Sequence, residues 1–247
     1  MNNYRSFTSA TLDPWDGVLL VDKPAGFTSH DVVAKIRGHF RIKKVGHGGT
    51  LDPLATGLLI LLTGKGTRLS DRIMGSDKTY EGVMMLGATT DSQDADGEIL
   101  ETKPCDHITD EAVRAEMSKR IGDQMQMPPM VSAIKKNGVP LYKLARKGEV
   151  IEREPRLIHV YKFIMNSKRG PEVDFTLRCT KGTYVRTLCH DIGESLGCGA
   201  HMKALRRTES GKFNVADAIT VEEIVKLSPD QLYQRIIPIG QAISLVA

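Results

Sequence analysis

The chain has 247 residues, 40% apolar and 26% charged, with a formal net charge of +4. That balance excludes a disordered polyelectrolyte and permits a sizeable core, in one large domain or one domain with an appendage. The four cysteines form no C-x-x-C pair, the N-terminus lacks the build of a signal peptide, and the uncharged apolar run 53–64 is too short to span a bilayer. A cytoplasmic protein with reduced thiols and no membrane contact is expected.

Residues 1–16 read as a polar N-terminal arm. GVLLVDKPAG (17–26) reads as a strand closed by a turn, with Lys23 on that turn. A helix is expected from Ser29, the N-cap, with Asp31 in its first turn and Val32, Val33, Ile36 and Phe40 on one face. Its polar side opens a basic run: residues 32–51 hold Lys35, Arg37, Arg41, Lys43 and Lys44, two histidines and no acid. Such a run is usually a solvated face. Its position, directly before a glycine-rich loop, favours phosphate contacts.

That loop is GHGGTLDPLATG (46–57), where His47 and Asp52 are the side chains that could titrate usefully. The bland reading is a Gly-Gly and Asp-Pro turn before a buried strand, LLILLT (58–63). Two phosphate-loop readings fail. Six residues separate Gly57 from Gly64 and Lys65 is followed by Gly66, while a dinucleotide fingerprint begun at Gly46 would need glycine at Leu51. No nucleotide cofactor is therefore expected.

GKGTRLSDRI (64–73) reads as a loop and short helix, and YEGVMMLGA as a strand begun by Tyr80. The acidic turn 91–98 cannot be a calcium loop, because its end positions are Ser92 and Lys103. Thr109 is expected to cap a helix running to about Ile121. The segment 125–149 is basic and punctuated by Pro and Gly, with Tyr142, Lys143, Arg146 and Lys147 toward its end. RLIHVYKFIMN (156–166) and EVDFTLRCT (172–180) read as strands, and KGTYVRTLCHDIGESLG (181–197) as a helix capped by Thr183 and ended by Gly197. Arg186 reads as an exposed first-turn cation set against the helix dipole, and Arg206 and Arg207 as partners for phosphate or surface acids. TVEEIVKL (220–227) reads as a short capped helix. Cys198 and His201 have ligand spacing without a second pair, so no metal is expected.

Several of these stretches, in this order, resemble the motifs of the bacterial tRNA pseudouridine-55 synthases, which isomerise a uridine in the T-loop of tRNA. GHGGTLDPLATG resembles their active-site motif, KTYEGVMMLGATTDSQDADGEI the second, and KGTYVR the third. GVLLVDKPAG, the 125–149 segment and GCGAHMKALRRTESGKF (197–213) match as well. The departures are small: Gly48 and Ser92 stand where threonine is frequent.

The resemblance implies an α+β pseudouridine synthase fold, with a mixed, mainly antiparallel sheet flanked by helices. The catalytic domain would be 17–247, with 125–155 as an insertion that grips the RNA. The small PUA domain common in the family is expected to be absent. The resemblance makes Asp52 the nucleophile, paired with Arg186, which would lower its pKa. It stacks Tyr80 on the target base, puts Tyr184 in the site, lines the uracil pocket with Leu205, and matches Lys23 to the first motif. His47 is expected to hold the flipped-out RNA rather than act as a base. The partner would be the tRNA T-arm, the protein a monomer, and no cofactor or metal would be needed. The competing readings are a tRNA-binding chaperone, an isomerase of another RNA, as in related guide-RNA-dependent enzymes, and, more remotely, a metal hydrolase using Cys198, His201 and His190.

Overall fold

The centre of the fold follows from the LLILL run. In β3 (Thr56–Thr63), Leu59 and Leu61 face one apolar cluster while Leu58, Ile60 and Leu62 face another. A strand buried on both faces needs a continuous apolar sequence rather than alternation, which is why this run carries no polar residue. The computed structural model describes residues 13–130, 135–136, 139–140 and 152–246. The arm up to residue 12, and Tyr142, Lys143, Arg146 and Lys147 of the expected RNA-gripping insertion, lie outside them.

β1 (Gly17–Lys23) pairs antiparallel with β3 along its whole length. α1 (Ser29–Phe40) then covers the first cluster through Val32, Val33 and Ile36. Its N-cap is Thr28 rather than Ser29. Thr28 and Asp31 exchange the reciprocal bonds of a capping box, which leaves Ser29 buried and free for another task. β2 (Val45–His47) pairs with the end of β3. A 3-10 turn, Gly64–Leu69, and α2 (Ser70–Gly75) follow, and their Leu69 and Ile73 close the second cluster.

β4 (Lys78–Leu86) starts two residues before Tyr80. β5 (Ala88–Thr90) and β6 (Ile99–Thr102) form a small hairpin around the acidic turn. α3 (Asp110–Lys119) is capped by Thr109 but stops before Ile121, which is exposed. Next come β7 (Gly122–Gln126), the paired β8 (Lys135–Lys136) and β9 (Val139–Pro140), β10 (Arg156–Arg169) and β11 (Glu172–Cys179). Along β11, Val173, Phe175, Leu177 and Cys179 are buried, as period-two alternation requires.

α4 (Val185–Leu196) buries Leu188, Cys189 and Ile192, about 1.5–3 kcal/mol for each large aliphatic side chain. Gly197 ends it in the left-handed conformation. Its N-cap position is Tyr184, with no side-chain cap. Thr183 instead donates to the Thr180 carbonyl, and the Gln126 carboxamide oxygen accepts from the Tyr184 N–H. β12 (Ala200–Ser210) is a long strand that the sequence reading did not assign. The chain ends with β13 (Phe213–Asn214), β14 (Ile219–Thr220), α5 (Val221–Ile224), α6 (Pro229–Tyr233), β15 (Ile237–Pro238) and α7 (Ile239–Leu245).

The main sheet has eleven strands, with the path β14-β1-β3-β12-β4-β11-β10-β7 and with β2, β13 and β15 at its margins. Among the described residues only β1–β14 and β3–β12 are parallel strand pairs, so the sheet is mixed and mainly antiparallel. No helix among the described residues is long and apolar enough to cross a membrane. The β3–β12 contact is the joint that makes the site. It lasts two residues, Thr56↔Arg206 and Gly57↔Arg207, and then the strands diverge. Further along β3, β2 takes the place of β12. The loop 48–55 occupies the wedge between them.

Candidate active site

Every turn of the wedge loop is tied to something rigid. Ser29, on the first turn of α1, donates its hydroxyl to the Leu51 carbonyl (3.1 Å) and accepts from the Leu51 N–H (2.8 Å). The Pro53 carbonyl accepts from the Gly26 N–H (2.9 Å) and the Lys23 ammonium (3.3 Å). The Arg207 guanidinium fills the gap where β12 leaves β3. Its Nε donates to the Leu58 carbonyl (2.8 Å), Nη1 to Thr50 (3.3 Å) and Nη2 to Gly49 (3.1 Å). The Asp52 carbonyl accepts from Ala55 N–H. The backbone on both sides of Asp52 is thus satisfied and held, and its side chain is free to face the cavity.

That cavity has a volume of about 280 Å³. Asp52 is the single carboxylate on its wall among the described residues, beside Tyr80, Tyr184, Arg186, Leu205 and Arg207. The carboxylate lies at the floor of a concave site with 40% of its side-chain surface open. Arg186 is 3% exposed, with Nη2 3.6 Å from Asp52 Oδ2 and Nη1 3.3 Å from Asp94 Oδ2. Asp94 is itself buried, and its Oδ1 accepts from the Ser92 hydroxyl and the Asp96 N–H. One guanidinium therefore sits between two carboxylates, only one of which faces the cavity.

The pKa expected for Asp52 is overturned. Arg186 does favour the ionised form, but withdrawal from water outweighs it, and Asp94 adds repulsion. The carboxyl is held above its ordinary value. Its ionised form is therefore more basic than a carboxylate in water.

Tyr80 is 9% exposed, and burial pushes its phenol up to about 12. Its ring forms an apolar wall of the cavity with Leu205. Tyr184 is half-buried. The Arg186 guanidinium lies over its ring at 5.8 Å, and the Gln126 side chain bonds its backbone N–H and carbonyl.

Two expected site residues lie elsewhere. Lys23 is 0% exposed, and its ammonium donates to the Pro24, Phe27 and Pro53 carbonyls. Burial lowers it to about 8. It braces the loop from behind and does not line the cavity. His47 is at the end of β2, where Nδ1 accepts from Gly49 N–H at 3.4 Å, and it is also absent from the cavity wall. Burial lowers its pKa, which favours the neutral imidazole.

Four contributors were not legible in the sequence. Arg207 is buried rather than a surface cation, and Ser29 braces the loop rather than capping the helix. Asp94, within the acidic turn, reaches Arg186. Lys78 lines the cavity with its ammonium turned onto the Ile73, Met74 and Ser76 carbonyls. The expected Arg206 partner is an acid: Asp22, at 2.7 Å.

The family model for the TruB family pseudouridylate synthase N-terminal domain matches residues 37–185, and that for the tRNA pseudouridylate synthase B C-terminal domain matches 186–244. The chain belongs to the TruB family. The boundary between the two matches falls inside α4, and the main sheet runs across it through β12.

The chain is 57% identical over 227 residues to the tRNA pseudouridine synthase B of Opitutus terrae, covering 92% of this chain and 94% of that one. It is 47% identical to the protein of the same name in Syntrophotalea carbinolica, covering 92% and 74%. Among solved structures, it is similar to a chain in the crystal structure of a Cbf5–Nop10–Gar1 complex (TM-score 0.74, 31% identity), covering 94% of this chain and 63% of that one. It is also similar to a chain of an H/ACA ribonucleoprotein bound to a substrate RNA containing 2′-deoxyuridine (TM-score 0.70, 27% identity, 94% and 62%). The TruB family member therefore spans somewhat under two thirds of those longer chains.

Proposed function

We propose that this TruB family pseudouridylate synthase, an isomerase, converts one uridine of the tRNA T-loop, position 55, to pseudouridine, with Asp52 as its catalytic carboxylate. The observation that carries the reading is the placing of Asp52: one carboxylate on a loop held on both sides, lining a mainly apolar cavity of about 280 Å³.

The reaction breaks the C1′–N1 bond of uridine, turns the uracil and joins C1′ to C5. Atoms and oxidation state balance within the nucleotide, so positioning and charge are what the site must supply. The base has to leave the stack to enter the cavity. Tyr80 and Leu205 supply its apolar walls, and stacking on such a ring contributes on the order of 1–3 kcal/mol per base. Asp52 acts on the ribose–base linkage, and Arg186 holds its charge and orientation. His47 sits one loop away, where it can contact the displaced strand. The names of the relatives and the order of the motifs support tRNA as substrate.

The test is incubation of an unmodified tRNA transcript with the protein, followed by mapping of pseudouridine through chemical derivatisation, beside Asp52→Asn. Native protein should modify a single T-loop uridine and the variant none. Pseudouridine formed by Asp52→Asn would overturn the role of the carboxylate, and its absence with native protein would overturn the substrate.

A further inference from the structure

One cation on the cavity wall takes no part in the reading above, and a second has only a mechanical role in it. Lys78 and Arg207 both line the cavity, at 7% and 2% exposure. Neither makes an ion pair among the described residues. The third cation of the wall, Arg186, is shared between Asp52 and Asp94. Lys78 and Arg207 are therefore positive charge that no carboxylate contacts.

Their placing is specific. Lys78 and Tyr80 lie on the same face of β4, one pleat repeat or about 7 Å apart. Arg207 of β12 is the register partner of Tyr80. The ring that would carry the base is thus flanked by one cation along its strand and by another across it. Both cations are fixed. The Lys78 ammonium donates to the Ile73 (3.5 Å), Met74 (2.8 Å) and Ser76 (2.5 Å) carbonyls, and Arg207 is held by the three carbonyls described above.

The plain reading of Lys78 is a cap on the last carbonyls of α2. An exposed side chain would serve that purpose, whereas burying an ammonium without a counter-charge is costly. Desolvation, reinforced by Arg207, lowers Lys78 to about 8, so it stays largely protonated at pH 7. Such fixed, desolvated charge is of most use where opposite charge develops during a reaction.

The proposed reaction creates that charge. When the C1′–N1 bond breaks, its electron pair leaves with N1, and the detached uracil is an anion delocalised over N1, O2 and O4. On the ribose side Asp52 bonds to C1′ or takes the C2′ proton. C5 then gives an electron pair to C1′, Asp52 is restored, C5 releases its proton and N1 gains one, so atoms and charge balance. We propose that Lys78, with Arg207 on the other side of Tyr80, stabilises the uracil anion through its fixed positive charge. The inference rests on the isomerase reading above and adds a residue to it.

The test measures single-turnover rates at saturating protein for Lys78→Met and Lys78→Arg, on tRNA transcripts with uridine or 5-fluorouridine at the target position. Fluorine makes uracil the better leaving group. Loss of the charge should slow uridine on the order of 10- to 100-fold and 5-fluorouridine less. The fluoro-to-uridine rate ratio should therefore rise in Lys78→Met and stay near native in Lys78→Arg. A purely structural defect slows both substrates equally, so an unchanged ratio would overturn the proposal, as would a native rate in Lys78→Met. Lys78→Gln, which keeps an uncharged donor for the carbonyls, gives the same comparison if Lys78→Met does not fold.

A second readout needs no turnover. 5-Nitrouracil changes its absorption spectrum on ionisation, and native protein should bind its anion about tenfold more tightly than its neutral form, equivalent to one pKa unit. That preference should vanish in Lys78→Met and in Lys78→Gln. Absence of pseudouridine with native protein would refute the substrate reading, and the nitrouracil comparison then decides this one: an equal preference in native and uncharged variants overturns it.

Discussion

Replacing Arg207 by lysine separates holding the catalytic loop from merely filling the sheet. The guanidinium makes three hydrogen bonds to carbonyls on two different segments, Leu58 of β3 and Gly49 and Thr50 of the loop. A lysine ammonium on a flexible stem reaches one of those segments, not both. Losing two bonds to a charged donor costs about 3–6 kcal/mol gross. The ammonium is more strongly hydrated than the guanidinium, so burial offsets none of this, and about 3–6 kcal/mol of stability is lost. For a chain of this size that is a fall in Tm of about 6–24 °C. The protein should still fold, because the β3–β12 backbone pair and the surrounding apolar clusters remain.

The rate should fall as well. Freeing the Gly49 and Thr50 carbonyls lets Asp52 drift, and a misplacement near 1 Å costs on the order of 100-fold. The assay is the single-turnover rate of pseudouridine formation at saturating protein, beside urea denaturation at the same temperature. A native single-turnover rate in a destabilised Arg207→Lys protein would refute the argument, as would a loss confined to KM.

The raised pKa of Asp52 gives a stability prediction with a definite sign. A carboxyl whose folded pKa lies above its unfolded value loses its contribution as pH rises through the folded pKa. Asp52→Asn should therefore be at least as stable as the native protein at pH 7, with the difference closing below the ordinary carboxylate range in urea melts. Ser29→Ala leaves the buried Leu51 N–H and carbonyl without their partner, which should cost about 1–3 kcal/mol in denaturant midpoint analysis and lower kcat rather than raise KM. Gly57→Ala sets a Cβ 2.3 Å from the Arg207 carbonyl oxygen at φ +94, so a loss of about 2–4 kcal/mol is expected, and unchanged thermal unfolding would contradict the tightness of that joint.

Much of the scaffold could be read locally. The alternation of β11, the unbroken apolar run of β3, the Thr109 and Thr220 caps and the Gly197 stop are short-range signals, and an element formed at each, although the helix capped by Thr109 stops at Lys119 rather than Ile121 and the one expected over 220–227 stops at Ile224. The errors were also local. Two adjacent hydroxyl residues stand at the start of α1, and the capping box with Asp31 selected Thr28. Thr183 bonded backward to Thr180, so no side chain caps α4. β12 was missed because Arg206, Arg207, Glu209 and Lys203 interrupt its apolar pattern, although it pairs with β3, β4 and β13.

The sequence alone marked the family through its motif order, with the mixed sheet implied by that resemblance, and marked individual strands and helices through side-chain periodicity, because both are properties of neighbouring residues. Only the tertiary structure decided what surrounds the Asp52 carboxylate. Ser29 and Arg207 reach the loop from 22 and more than 150 residues away, and Asp94 and Arg186 meet across 92. Burial likewise decided that desolvation outweighs Arg186 in setting the Asp52 pKa. Desolvation depends on how many atoms the whole fold brings around a group, and no stretch of chain carries that count.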